Sequence, residues 1–166
     1  SFGNGAFPMI AVSQNNELTF RNICGGLKLQ FKGTGKIKSI VLEGLGEEPV
    51  SGNAAVVGYV DGSAPTVAMT STASKSVTLD CGDGVQLNED TATTFIIAVP
   101  PTEFQSGMKI TVTDSEGSSK IFTNSSPNTI KRSSLLTFPV ITYNQEAGPS
   151  KKSLNILFVG NSLTQD

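Results

Sequence analysis

Short runs in which apolar and polar residues alternate, each bounded by Gly, Asn, Asp or Ser, recur along the chain about every ten residues. No segment carries the 3.6-residue period of an amphipathic helix. Period-two runs place successive side chains on opposite faces, so each run can bury one face against a partner layer. Many short strands at this spacing suit a sandwich or barrel, and the expected fold class is all-β, an antiparallel β-sandwich. The 166 residues allow one such domain and little more, and 17 glycines and 8 prolines supply its turns.

Strand by strand, Leu18, Phe20 and Asn22 alternate with Thr19, Arg21 and Ile23. Leu27, Leu29 and Phe31 then face one way while Lys28, Gln30 and Lys32 face the other. Gly33-Thr34-Gly35 is a tight connection into residues 37–43, where Ile40 and Leu42 share a face, so these two strands are expected to pair as a hairpin. Residues 44–52 read as loop and 54–60 as a strand ended by Asp61-Gly62. A Ser/Thr-rich meander over 63–76 leads into Val77, Thr78 and Leu79, and Asp80-Cys81-Gly82-Asp83-Gly84 has the chemistry of a turn. Residues 93–99 are apolar on both faces and predict a central strand, stopped by Pro100-Pro101. Met108, Ile110 and Val112 form a second hairpin with Lys120, Ile121 and Phe122 across Glu116-Gly117. Residues 135–142 close the domain, so the sandwich is expected over 1–143 and a linker over 144–152.

Composition excludes several functions. Twelve basic against fourteen acidic residues give a net charge of -2, which offers no drive for counterion-release binding to nucleic acid. No apolar run approaches the roughly 20 residues of a membrane-spanning helix. The chain has no histidine, which removes Ser-His and Cys-His pairs and imidazole zinc sites. Asp80, Asp83, Glu89 and Asp90 depart from the spacing of a calcium loop and read as turn residues; no metal and no cofactor is implied. Glu47-Glu48 reads as a solvated loop, and Lys28, Lys32, Lys36 and Lys38 as the solvent face of the first hairpin. Two tyrosines, Tyr59 and Tyr143, with nine Phe and no Trp give little for a sugar-stacking platform, so a carbohydrate-binding module is only a second alternative. Cys24 and Cys81 are a candidate disulfide of an exported protein or two buried thiols, both of which composition allows.

After the linker the character changes: Leu154, Ile156, Leu157, Phe158 and Val159 form an apolar run that enters Gly160-Asn161-Ser162-Leu163-Thr164-Gln165-Asp166. Together these resemble the first block of the SGNH or GDSL hydrolases, in the exported group where that block reads G-N-S-[LF]-T. The resemblance implies Ser162 as nucleophile, its amide helping to hold an oxyanion, with Gly160 and Asn161 in its loop. Asn161 stands where the better-known block has Asp. Residues 153–166 would then be the first strand and nucleophile loop of a serine esterase domain whose remaining triad members this stretch does not contain.

The Asn22-Ile23-Cys24-Gly25-Gly26-Leu27-Lys28-Leu29 run, the Ile37-Lys38-Ser39-Ile40 strand, the strand from Phe95 that ends in Pro100-Pro101, the strand over 107–113 and Ile130-Lys131-Arg132-Ser133 resemble the fimbrillin-like surface domains of Gram-negative anaerobes. That resemblance implies a transthyretin-like β-sandwich, export to the cell surface or periplasm, including as a lipoprotein, and no catalytic residues. The expectation is a non-catalytic accessory or anchoring module in front of an SGNH-type esterase. The alternative is an adhesion or pilus-associated subunit. Expected partners are surface polysaccharide or other surface proteins.

Overall fold

The computed structural model describes residues 7–145, and among them there are strands but no helix. In chain order the strands are β1 (Met9–Ile10), β2 (Arg21–Asn22), β3 (Gly25–Thr34), β4 (Lys36–Gly44), β5 (Ala54–Val57), β6 (Thr66–Met69), β7 (Ser76–Gln86), β8 (Thr93–Val99), β9 (Thr102–Phe104), β10 (Met108–Asp114), β11 (Ser119–Asn124), β12 (Asn128–Ile130), β13 (Leu135–Thr137) and β14 (Ile141–Asn144). One main sheet has the order β11-β10-β4-β7 and is antiparallel throughout. The other is centred on β3, with β8 antiparallel along one edge and β13 and β14 in tandem along the other, both parallel to β3. Short ladders β1–β2, β5–β6 and β9–β12 lie outside these two. The architecture is therefore all-β and sandwich-like.

The alternation read from the sequence is the alternation that packs. Leu27, Leu29 and Phe31 of β3, Ile40 and Leu42 of β4, and Met108, Ile110 and Val112 of β10 are all buried in one core. Phe31 joins the two layers: its ring meets Phe95 of β8 edge-on at 5.8 Å and Phe122 of β11 at 6.0 Å. No helix among these residues is long and apolar enough to cross a membrane, because there is none at all.

Several expectations need correction. β3 and β4 do not pair as a hairpin; each belongs to a different sheet. Only Gly35 separates them, too little for a two-residue hairpin turn, and positive φ angles of 130° at Gly33 and 98° at Gly35 bend the chain from one layer to the other. Lys28 and Lys32 are thus split from Lys36 and Lys38, and the four do not share the solvent face of one hairpin.

The Asp80-Cys81-Gly82-Asp83-Gly84 segment does not reverse the chain. It is a bulge inside β7, where residues 81–84 stand opposite Lys38 alone, between the Ile37–Val85 and Ser39–Asp80 pairs. The turn chemistry is real: Gly82 and Gly84 have positive φ, the Gly82 N–H donates to Asp80 Oδ1 at 2.8 Å, and Lys38 Nζ donates to the Gly82 carbonyl.

Among the described residues β8 is not a central strand: it has one ladder, with β3, and only alternate residues Phe95, Ile97 and Val99 are buried. The meander over 63–76 hides β6, which pairs β5. Leu18 and Phe20 fall outside any strand and are exposed, because pairing there reaches only Arg21–Asn22. Residues 135–142 divide into β13 and β14 on either side of Pro139, and Asn144, assigned to the linker, is the last residue of β14.

Candidate functional site

Gly160, Asn161 and Ser162, and the apolar run before them, lie outside the described residues. What the fold positions is the strand from which the chain departs toward them. β10 carries Met108, Ile110, Val112 and Asp114 on one face, so the period that buries three apolar residues also buries a carboxylate. Asp114 is 1% exposed, the one buried charged side chain among the described residues.

Its oxygens are all used. Oδ1 accepts the N–H of Glu116 at 3.0 Å and of Ser118 at 2.9 Å, which shapes the β10–β11 turn, and Oδ2 accepts the Tyr143 hydroxyl at 3.1 Å. Tyr143, on β14, is 1% exposed. Lys120 of β11 places Nζ 5.4 Å from the centre of the Tyr143 ring and donates to the Asn144 carbonyl at 2.6 Å. Gln145 continues the attachment: its N–H donates to the Thr34 carbonyl at 3.2 Å, and its Oε1 accepts the Lys36 N–H at 3.3 Å. Residues from both sheets thus clasp the last described strand. Sequence reading missed this cluster, although the inward phase of Asp114 in a period-two run was a usable signal.

Several concavities flank the sandwich among the described residues, and two of them differ sharply in character. A polar cleft of about 320 Å³ lies between the β1–β2 arm and residues 58–65, with Arg21, Glu17, Gln14 and Tyr59 among its lining. The Ser63 N–H on Asp61 Oδ1, at 2.8 Å, together with the Ser63 side chain and the Arg21 charge, holds the Asp61 carboxyl below its ordinary range. Ser13, Asn15 and the Glu17 N–H are bonded among themselves in this arm. Tyr59 is 41% exposed at its edge, so the cleft offers one ring, one guanidinium and amide groups to a polar ligand.

The second concavity, about 250 Å³, is apolar and lies where the open edges of the two main sheets approach, lined by Ile110, Phe122, Phe138, Val140 and Ile141. β11 bounds it, and among the described residues no strand pairs its outer side.

Cys24 and Cys81 are free thiols in this fold, one in the loop before β3 and the other in the β7 bulge. Burial raises both above the ordinary thiol range, with the Asp80 charge adding to the effect on Cys81. Asp80 and Glu47 have local partners, Asp80 in the Gly82 N–H and Glu47 in Lys75 Nζ at 2.6 Å, which lowers the Glu47 carboxyl. No group of three metal-ligating side chains comes together among the described residues. Against protein-family models and against curated proteins alike, the chain finds no match.

Proposed function

We propose that the sandwich is a non-catalytic, exported accessory or anchoring module that holds an SGNH-type serine esterase domain at the cell surface, with Ser162 as that domain's nucleophile. The observation that carries this reading is the use made of Asp114: the one buried charged side chain among the described residues is committed to a turn and to Tyr143, with both oxygens hydrogen-bonded inside the fold. The absence of histidine from the whole chain points the same way, since Ser162 then needs a proton acceptor from elsewhere. The clasp at Tyr143 and Gln145 gives the following residues a fixed point of departure, as an anchor requires. The fold class is compatible with a fimbrillin-like, transthyretin-like sandwich.

The test is hydrolysis of p-nitrophenyl acetate by the protein extended past Asp166 through a further domain-length segment. Activity that Ser162→Ala abolishes, beside an inert 166-residue chain, supports the reading. A folded, inactive extension overturns it.

A second reading, an adhesion or pilus-associated subunit, is favoured by one observation. The apolar concavity at the open sheet edges lies beside β11, whose Ile121 is 64% exposed. On that reading the chain self-associates in light scattering after size exclusion, and a monomer at all concentrations counts against it.

A further inference from the structure

We infer that the parallel seam of β3 with β13 and β14 is a shear clamp, which lets this domain carry tension along the chain without unfolding. The chain enters β3 at Gly25 and leaves β14 at Asn144, and these two points lie at opposite ends of the same seam. β13 pairs Leu135, Leu136 and Thr137 with Gly26, Leu27 and Lys28; β14 pairs Ile141 through Asn144 with Phe31 through Thr34. Bonds outside the ladders extend the seam. Ser133 N–H donates to Cys24 O at 3.0 Å, Gly26 N–H to Ser134 O at 2.9 Å, Phe138 N–H to Lys28 O at 3.3 Å, and Gln145 N–H to Thr34 O at 3.2 Å.

A pull on the two chain ends draws β3 toward its start and β14 toward its end. Because the strands are parallel, they are drawn past each other, and the bonds within each of the two ladders are strained together rather than one pair at a time. An antiparallel hairpin pulled at its open end instead yields one pair at a time. The seam is also backed from the other sheet: Tyr143 is held by Asp114, and Asn144 by Lys120. Gly25 and Gly33 let the backbones close up near its two ends, where an added Cβ would run into the carbonyls of Lys131 and Tyr143. The small β1–β2 ladder lies outside the clamp. It pairs Met9 with Asn22 and Ile10 with Arg21, is loaded at its open end, and gives way first.

The biological use of the clamp rests on the anchoring role proposed above; its mechanics do not. The experiment is single-molecule force spectroscopy on the full chain with handles fused to both ends. The same chain is then pulled through azide-bearing residues at Ser106 and Ser125, which flank the open end of the β10–β11 hairpin. Forced unfolding reports the barrier to unfolding in the direction pulled. The expected end-to-end trace has a weak early extension of about 50 Å from the N-terminal arm, then a rupture that frees roughly 400 Å of chain between β3 and β14. That rupture occurs at a force several-fold above the one for the 106–125 pull. Equal forces, or a weaker end-to-end rupture, overturn the clamp. A weak seam in a chain whose extended form is an active esterase removes the clamp and leaves the accessory role. A strong seam beside an inactive extension keeps the clamp and removes the esterase.

Discussion

Tyr143→Phe removes one oxygen and nothing else from the core, which makes it the sharpest probe of how the last strand is held. The hydroxyl donates at 3.1 Å to Oδ2 of a carboxylate that is 1% exposed, so its loss strands a buried charged acceptor. A hydrogen bond to a charged group contributes about 1.5–3 kcal/mol, and an orphaned buried partner places the cost in the upper part of that range. A loss of about 2 kcal/mol is a large share of the 5–15 kcal/mol that holds a typical domain folded. With a urea slope of about 2 kcal/mol/M it moves the unfolding midpoint down by roughly 1 M.

Asp114→Ala is expected to cost more, about 3–4 kcal/mol, because the Glu116 and Ser118 N–H groups lose their acceptor as well. The double variant closes a cycle in which the two losses overlap by at least about 1 kcal/mol. The assay is urea unfolding followed by far-UV circular dichroism. A midpoint shift in Tyr143→Phe below about 0.3 M, or strictly additive losses in the cycle, would refute the argument that this bond anchors β14.

Phe31→Ala, which removes the ring shared by Phe95 and Phe122, is expected to destabilise by about 3–5 kcal/mol in the same assay. Gly33→Ala places a side chain at φ 130° against the Tyr143 carbonyl; hydrogen exchange should show β14 amides losing protection before those of β10, and uniform loss would count against the local account. Burial raises both thiols above the ordinary value of 9.0, so the folded state keeps protons that the unfolded chain releases. Their contribution is complete below that value and is lost as the pH climbs toward the native thiol range; the decline should be shallower in Cys24→Ser/Cys81→Ser than in the wild type. Lys75→Ala should return the Glu47 carboxyl toward its ordinary range in an NMR titration while leaving the urea midpoint nearly unchanged, because the pair is exposed.

Much of this architecture is legible in local order. The period-two burial of β3, β4 and β10, the β10–β11 hairpin across Glu116-Gly117 and the stop at Pro100-Pro101 all follow from which side chains can share a face and which residues can turn or donate. The same local chemistry marks the Asp80–Gly84 irregularity, but whether such a segment reverses the chain or bulges within a strand depends on the partner opposite, here Lys38. β6 escaped because its residues bury little, which leaves no strong pattern to read.

For the candidate site, the Gly160-Asn161-Ser162 block stands out by residue identity alone, while the Asp114–Tyr143–Lys120 clasp joins residues from three strands and becomes visible only when those strands meet. The sequence by itself determined the class of fold and the faces of its strands, because alternation and turn preference act over a few residues. Only the tertiary structure decided which strands became neighbours. β3 and β4 are one residue apart yet lie in different sheets, and β14 returns from more than a hundred residues away to lie parallel to β3. Strand pairing is a long-range competition for a common core, and the local alternation of a strand does not name its partner.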